Sequence, residues 1–412
     1  MRTSRRHVTP GASSSYGART GMDKVKLGLL RLTDAAPLIV AKELGTFAEE
    51  GLDVELSIEP SWANVADKIV YGLLDGAVML PPLALAVTLG LRGGGAPLVV
   101  PMSLSLKGNT ITLSESIAAE ILRGDAPPDA RAAARRLAAL IGAGGGGSTR
   151  PALAVVHGYS THNLLLRYWL AAGGLDPDRD VELTVVPPAQ VVDVLRVGQI
   201  VGFCAGAPWG FIAARGGIGR TVAVTSEIWN NHPEKVLALG RRWAEENLNR
   251  VQRLLRALLR AARYCDDAAN ASRIAALVAE TLALDPTAVL ASLPGAASRA
   301  PQGVPQNADV STFFANTATF PWRSHALWFL REMARWGYVD PGLDAAAVAA
   351  SVYRPDLYRD AAHAVGAPVP VADMKAEGEH AGDWTLAAAP APVAMGADRF
   401  CDGAVFDPNT LS

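Results

Sequence analysis

Five residues stand in predicted turns or beside the ends of predicted strands and helices, and each of them could help to hold an anion. Trp62 and Lys235 offer an indole N–H and an ammonium group, neither of which can accept a hydrogen bond. Asn109 offers an amide with two N–H donors, and His162 stands at a predicted helix start, where unpaired backbone N–H groups favour an anion. Gly206 would let the backbone approach a ligand closely.

Each of these residues also has a plainer interpretation. Trp62 could be a core or lid aromatic, and its residue type alone favours that role. Asn109 could form a turn beside Gly108, and Gly206 could serve an ordinary turn equally well. His162 could only cap its helix, and Lys235 could be a solvated lysine paired with its neighbour. Residue type therefore leaves the anion site open, and the positions of these residues in the fold must decide.

The first part of the chain alternates strand and helix patterns. Strand patterns cover residues 24–30 and 52–58 and a short apolar run covers 77–80, while helical spacing covers 36–50 and about 64–74. This rhythm predicts a parallel sheet with helices on both faces. Ligands of such sheets bind at the carboxyl ends of the strands.

A second α/β unit is predicted to begin near Asn109 and to end where the chain returns near residue 203. A chain that leaves one lobe, builds another and returns creates a hinge and a cleft. We predict an α/β fold with a disordered leader at 1–21, lobe I at 22–109 plus 206–358, lobe II at 110–205, and a tail at 359–412 that wraps the surface.

Composition limits the possible functions. The chain has 412 residues, of which 50% are hydrophobic, and this length favours two lobes. A net charge of -2 gives no global attraction to nucleic acid or anionic membrane. The sequence contains no GxxxxGK[ST], HExxH, EF-hand or GxSxG motif, and its three cysteines are widely spaced. We therefore expect a binding protein that is not an enzyme and uses no cofactor or metal.

The N-terminal segment bears on location. Residues 1–21 are rich in Arg, Ser and Gly, and although Ser4-Arg5-Arg6 resembles a twin-arginine export motif, no apolar stretch follows it. Met22 could equally be the start of the protein. No run in the chain approaches the roughly 18 apolar residues that cross a bilayer. These features predict a cytoplasmic protein.

Five longer segments resemble a known family. They are PSWA at 60–63, THNLLLRYWLAAGGLDPDRDVELTVVPP at 161–188, VGFCAGAPW at 201–209, EIWNNHPEKVLAL at 227–239 and ADRFCDGAVFDP at 397–408. From Met22 to Pro408 the chain resembles the nitrate- and bicarbonate-binding solute receptors of ABC transporters. The resemblance implies a type II periplasmic-binding-protein-like fold, with two α/β lobes and a ligand cleft between them. It also implies ligand contacts from Trp62, Asn109, His162, Gly206 and Lys235.

The choice of anion follows from hydrogen-bonding chemistry. Nitrate has three acceptor oxygens and no donor, so a set of donors with one positive charge suits it. Bicarbonate must also donate its O–H and would want a carboxylate facing the cleft. Glu234 adjoins Lys235, but alternation along a strand should turn it to the other side. Nitrate or nitrite is favoured, although the family amide is Gln in the transport receptors and the shorter Asn109 here.

The predicted cytoplasmic location makes the chain resemble the cytosolic nitrate-sensor branch of this family, NasS. That resemblance implies that the protein sequesters a NasT-like, ANTAR-class RNA-binding antiterminator and releases it when nitrate or nitrite binds. Ligand and partner would then weaken each other's affinity by the same factor. The first alternative is the solute-binding component of a nitrate or bicarbonate ABC transporter. The second is an enzyme on the same fold that resembles the thiamine-pyrimidine synthases.

Overall fold

The computed structural model describes residues 21–143, 150–295 and 311–410. It contains two five-stranded mixed sheets, each covered by helices, and this architecture confirms the predicted two-lobed α/β fold. The predicted leader and the glycine-rich segment at 142–149 lie almost wholly outside the described residues. No helix within the described ranges is long and apolar enough to cross a bilayer.

The strands of the two sheets follow one another along the chain. They are β1 (Asp23–Leu29), β2 (Leu52–Ile58), β3 (Gly76–Met79), β4 (Leu98–Leu106), β5 (Asn109–Ser114), β6 (Ala152–Val155), β7 (Glu182–Val185), β8 (Gly202–Gly206), β9 (Gly219–Val224) and β10 (Pro233–Gly240). The first sheet has the order β2-β1-β3-β10-β4, and the second has the order β7-β6-β8-β5-β9.

Helices cover both sheets. Those up to β10 are α1 (Ala36–Glu43), α2 (Thr46–Glu49), α3 (Trp62–Val70), α4 (Pro81–Thr88), α5 (Glu115–Ile121), α6 (Ala130–Ala143), α7 (Thr161–Ala172), α8 (Val191–Arg196), α9 (Trp209–Arg215) and α10 (Thr225–Ile228). Those after β10 are α11 (Arg241–Glu246), α12 (Leu248–Asp266), α13 (Ala271–Leu282), α14 (Pro286–Leu290), α15 (Arg323–Arg335), α16 (Ala345–Val352) and α17 (Pro355–Ala364).

One strand in each sheet runs against its neighbours. β10 is antiparallel to β3 and β4, while β5 is antiparallel to β8 and β9. The chain enters the second lobe at β5 and returns to the first lobe at β10. Their first residues therefore lie at the boundary between the lobes, which places Asn109 and the start of β10 beside each other.

The return to the first lobe comes later than predicted. We expected it near Phe203 to Gly206, but β8 and β9 both pair within the second sheet. The chain crosses back only between Val224 and Pro233, through α10 and the segment that follows it. The apolar run Phe203-Cys204-Ala205 is typical of a central strand of either lobe, so its residue types alone did not identify its sheet.

The region after β10 joins both lobes. Helix α15 packs against α4 of the first lobe and α7 of the second. Next to it, the Asn163 side-chain amide donates to the Tyr338 hydroxyl at 2.8 Å, and the Arg167 guanidinium lies 5.4 Å from the centre of the Tyr338 ring. These contacts hold α7, which carries His162, against the body of the first lobe.

The predicted surface tail does more than wrap the protein. It contains the short strands β11 (Val369–Pro370), β12 (Trp384–Leu386), β13 (Ala388–Ala389) and β14 (Val393–Met395). Farther along, Phe400 and Phe406 are buried, with 4% and 1% of their surface exposed. Phe400 stacks on Trp229, with ring centroids 5.1 Å apart, in the segment that leads back to β10.

Candidate functional site

Lys235 is the charged centre of the boundary between the lobes. Its side chain is fully buried, and its ammonium donates to Asp34 Oδ2 at 2.8 Å and to Glu234 Oε1. Both carboxylates are themselves buried, with side-chain exposures of 5% and 1%. An ion pair removed from water in this way costs desolvation energy, which marks the cluster as more than ordinary surface pairing.

Glu234 faces the same site as Lys235, and the prediction that it points to the other side of the strand was wrong. The reason is a pair of register shifts in β10, one between Pro233 and Lys235 and one between Lys235 and Val236. A bulge breaks the alternation of a strand, so that neighbouring side chains can reach the same side. The site therefore contains the carboxylate whose predicted absence favoured nitrate over bicarbonate.

Asn109 reaches the site from the second sheet. It is the first residue of β5, and it is fully buried. Its amide nitrogen donates to Glu234 Oε2 at 2.5 Å. Lys107 and Gly108 precede it with positive φ angles of 62° and 92°, a backbone bend that links the two sheets. The structure thus places Asn109 at the crossing between the lobes.

His162 contributes from the start of α7. Ser160 caps this helix by accepting from the Asn163 backbone N–H at 3.0 Å, so His162 lies in the first turn. Its Nε2 lies 3.3 Å from Glu234 Oε1, but neither Nε2 nor Nδ1 makes a hydrogen bond among the described residues. Burial, and secondarily the charge of Lys235, lower the pKa of His162 well below its usual value, so the ring is neutral at pH 7.

Trp62 lies on the first-lobe side of the site. It is the first residue of α3, which Ser61 caps, and 1% of its surface is exposed. Lys235 Nζ lies 5.4 Å from the centre of its ring. Within the described residues, the indole Nε1 has no hydrogen-bond partner. Because this N–H can only donate, the group that satisfies it must be an acceptor.

Gly206 ends β8 and faces the same cluster. A β-carbon built there would lie 3.3 Å from Asn109 Oδ1 and 3.6 Å from Asp34 Oδ2. A side chain at this position would therefore occupy the space between the two lobes. The five residues predicted from the sequence meet at one place, and each contacts or borders the Lys235 cluster.

We predict that Gly206→Val weakens binding of any small anion at this site by at least about 5-fold, because overpacking a close-packed site costs roughly 1–3 kcal/mol. Gly94→Ala is the matched control, since a β-carbon there meets no atom within 4 Å. Calorimetric titration of both variants with nitrate measures the effect. Equal affinities for the two variants would show that Gly206 does not border the ligand.

The electrostatics of the cluster follow from burial. Burial raises the pKa of Glu234 to about 7, although Lys235 and Asn109 oppose the rise, and burial also raises the pKa of Asp34. For Lys235, burial acts to lower the pKa, but Asp34 and Glu234 outweigh it and the pKa is raised. The ammonium is therefore charged at neutral pH, while the two carboxylates compete for it.

Asp34 and Glu234 are the site residues that the sequence reasoning missed. Asp34 follows the carboxyl end of β1, which is where ligand-contacting residues of parallel sheets are expected. The position of Asp34 after a predicted strand could therefore have identified it as a site residue from the sequence. The direction of Glu234 carried no such signal, because it depends on the pairing of β10 with β4. No group of three or more His, Cys, Asp or Glu in the described ranges is arranged to hold a metal ion.

A cavity of about 300 Å³ opens between the two lobes. It is lined by Leu30, Arg31, Ile58, Glu59 and Pro60 from the first lobe and by Pro188, Ala189 and Gln190 from the second. A larger cavity of about 690 Å³ lies against α9 and β9. None of the five predicted residues lines either cavity, so the buried cluster is closed off from both.

Comparison with known proteins gives matches along most of the chain. A model described as the NMT1-like family matches residues 19–279. The nitrate import ATP-binding protein NrtC of Synechocystis sp. PCC 6803 is 38% identical over 368 residues, covering 87% of this chain and 52% of NrtC, so the chain spans about half the length of that relative.

Two binding proteins match over most of their length. The nitrate/nitrite binding protein NrtA of Nostoc sp. PCC 7120 is 33% identical, covering 96% of this chain and 86% of NrtA. The bicarbonate-binding protein CmpA of Synechococcus elongatus PCC 7942 is 31% identical, covering 94% of this chain and 84% of CmpA. The crystal structure of the periplasmic nitrate-binding protein NrtA from Synechocystis PCC 6803 has a TM-score of 0.81 and 29% identity, covering 95% of this chain and 97% of that one.

Proposed function

Since the chain belongs to the NMT1-like family and, within it, to the nitrate- and bicarbonate-binding solute receptors, we propose that it binds nitrate or nitrite as the solute-binding component of an ABC importer. The observation that carries the proposal is the buried Lys235 ammonium, 5.4 Å from the centre of the Trp62 ring, together with the indole N–H of that ring, which has no acceptor among the described residues. A small anion rich in acceptors would satisfy both groups. The Asn109 amide and the first turn of α7 would supply further donors.

The closed geometry suits a small ligand. Trp62, His162 and Lys235 have at most 1% of their surface exposed. An anion held among them would be separated from water, where charge-assisted hydrogen bonds are strongest. Entry then requires the lobes to separate, which is the hinge motion expected of two sheets joined at Lys107–Gly108 and at the segment before β10.

Bicarbonate is the second candidate, and one observation favours it. Glu234 faces the site and could accept the O–H of bicarbonate, a hydrogen bond that nitrate cannot form. The same side chain opposes an acceptor-only anion while it is ionised. The choice between the two anions therefore depends on the protonation state of Glu234.

We expect calorimetric titration at pH 6 to give nitrate and nitrite affinities at least about 10-fold tighter than that of bicarbonate, because the donors in the site outnumber its acceptors once Glu234 is protonated. The same protein with a chelator present is the control for adventitious metal. The proposal fails if neither nitrate nor nitrite binds at any pH between 5 and 9. Tighter binding of bicarbonate at pH 6 would instead support the second candidate.

The sensor interpretation makes a different claim about partners and location. The relatives of this chain are named as transport and binding proteins, and they give no support to an ANTAR-class partner. Neither that partner nor the cytoplasmic location has been tested. A pull-down of a purified ANTAR-domain antiterminator with and without nitrate tests the partner. Fractionation of cells that produce the full chain tests the location. A periplasmic chain with no nitrate-sensitive partner would favour the importer component.

The expectation that the chain is not an enzyme also stays a prediction. The matched relatives are named for binding and transport, and the alternative resembling the thiamine-pyrimidine synthases rests on the family alone. Fold similarity does not fix function, so the residues of the site must carry the argument.

A further inference from the structure

The buried cluster contains more negative than positive groups. Asp34 and Glu234 share the single ammonium of Lys235, and all three side chains have at most 5% exposure. If both carboxylates are ionised, the cluster has a net charge of -1 before any anion arrives. A monoanion would then bring a third negative charge to the same buried ammonium.

Within the described part of the chain, the other groups that contact Glu234 supply no positive charge at neutral pH. His162 approaches it from α7 and His232 from the segment before β10, with closest distances of 3.3 and 3.9 Å. Asn109 approaches from β5 and is uncharged. Burial lowers the pKa of both histidines, to about 3 for His232, so both rings are neutral. The charges of Lys107, Lys235 and His325 lower the pKa of His232 further.

Resting on the function proposed above, we propose that the site takes up nitrate together with one proton, and that Glu234 holds this proton. A neutral Glu234 removes one negative charge from the cluster. Its carboxyl O–H also becomes a donor, which suits a ligand that can only accept. The bound state then contains the anion, the Lys235 ammonium, the Asp34 carboxylate and the Glu234 acid.

Glu234 is the better proton carrier of the two carboxyl groups. Its Oε1 contacts the Lys235 ammonium and lies 3.3 Å from His162 Nε2. A proton on Glu234 would therefore lie among the residues that are proposed to hold the ligand. Asp34 contacts the ammonium from the first-lobe side at 2.8 Å and provides the remaining countercharge. The pKa of Glu234, which burial raises to about 7, places the change of protonation near neutral pH.

The affinity for nitrate is expected to fall as the pH rises above about 7. Below about pH 7 the free protein already carries the Glu234 proton, so nitrate binds without proton uptake and with constant affinity. Above that pH the proton must be taken from solvent, and linkage predicts a loss of affinity of about 10-fold per pH unit. Bicarbonate brings its own O–H and would pair with the ionised carboxylate, so its binding should take up no proton.

The test is calorimetry of nitrate binding in two buffers of different ionisation enthalpy, at pH 6 and pH 8. For the wild type we expect uptake of close to one proton at pH 8 and none at pH 6. Glu234→Gln, which places an amide donor at the same position, should bind nitrate more tightly than the wild type at pH 8 and show no proton uptake. Asp34→Asn should reduce the uptake, because it removes the second negative charge of the cluster and Asp34 raises the pKa of Glu234. The matched control is Glu377→Gln, at a buried carboxylate that pairs with Lys375 outside the cluster, and it should retain the uptake.

The outcomes separate this inference from the proposed function. Nitrate binding with no proton uptake at pH 8 in the wild type overturns proton coupling but leaves the receptor function standing. Proton uptake that persists undiminished in Glu234→Gln overturns the assignment to Glu234. Absence of nitrate binding at both pH values in the wild type overturns the proposed function itself.

Discussion

Lys235→Ala is expected to weaken nitrate binding by at least about 100-fold, because a charge-assisted hydrogen bond is worth roughly 1.5–3 kcal/mol and its loss here is not the only penalty. Without the ammonium, Asp34 and Glu234 face the anion with no opposing charge among the groups that surround them. Isothermal titration with nitrate at pH 6 measures the change. The exposed Lys42, on α1, supplies the control variant Lys42→Ala, which should bind as the wild type does.

The same substitution should also lower stability, which must be separated from the loss of binding. Removing one partner of a buried ion pair costs about 3–5 kcal/mol, because it leaves an uncompensated buried charge. The triple variant Asp34→Asn/Glu234→Gln/Lys235→Met removes all three charges together and should recover most of that stability without recovering binding. An affinity of Lys235→Ala within threefold of the wild type, in folded protein, would contradict the site.

The positions of the donors could be predicted because they obey a general rule of α/β folds. Trp62 and His162 lie in the first turns of helices that follow strands, and the sequence pattern gave the starts of those helices within a few residues. Helix α7 has His162 at its start as predicted, since Ser160 caps it, and Gly173 follows its end. Local residue types therefore suffice where a cap or a turn fixes the chain.

Other features depended on contacts between distant segments. Strand β4 was not predicted, although all nine of its residues are buried and its second half alternates apolar residues with Ser103 and Ser105. Pro101 interrupts the pattern in the middle, and a proline inside a run argues against a central strand. The direction of Glu234 depends on how β10 pairs with β4, and the later return of the chain depends on how β9 pairs with β5. The residues that flank a strand in the sequence do not determine which distant strand it pairs with.

The missed carboxylates also alter what the site can select. With Lys235 and donors alone, the cluster would accept any small acceptor-rich anion. With Asp34 and Glu234 included, the cluster must lose a charge, or receive an O–H donor, before an anion fits. Nitrate and bicarbonate solve this problem in opposite ways, so pH should change the relative affinity for the two anions at this single site.

The tail is predicted to hold β10 in place, and Phe400 is its main anchor. The Phe400 ring stacks on Trp229 and Trp328 with centroids 5.1 and 6.0 Å away. Two backbone hydrogen bonds flank it, from Cys401 N to Ile228 O and from Asn230 N to Arg399 O. This contact covers the segment that leads into Glu234 and Lys235, so the tail supports the binding residues as well as the fold.

Phe400→Ala is therefore expected to lower the free energy of unfolding by about 3–5 kcal/mol, the usual cost of truncating a buried aromatic side chain. Val405→Ala, in the same tail but at a side chain with 55% exposure, should change stability by no more than about 0.5 kcal/mol. Thermal unfolding of both variants with and without nitrate makes the comparison. Because a ligand that binds only the folded state stabilises it by mass action, saturating nitrate should recover part of the loss in Phe400→Ala. If Phe400→Ala unfolds like Val405→Ala, the tail does not anchor the return segment, and the positions of Glu234 and Lys235 depend on the sheet alone.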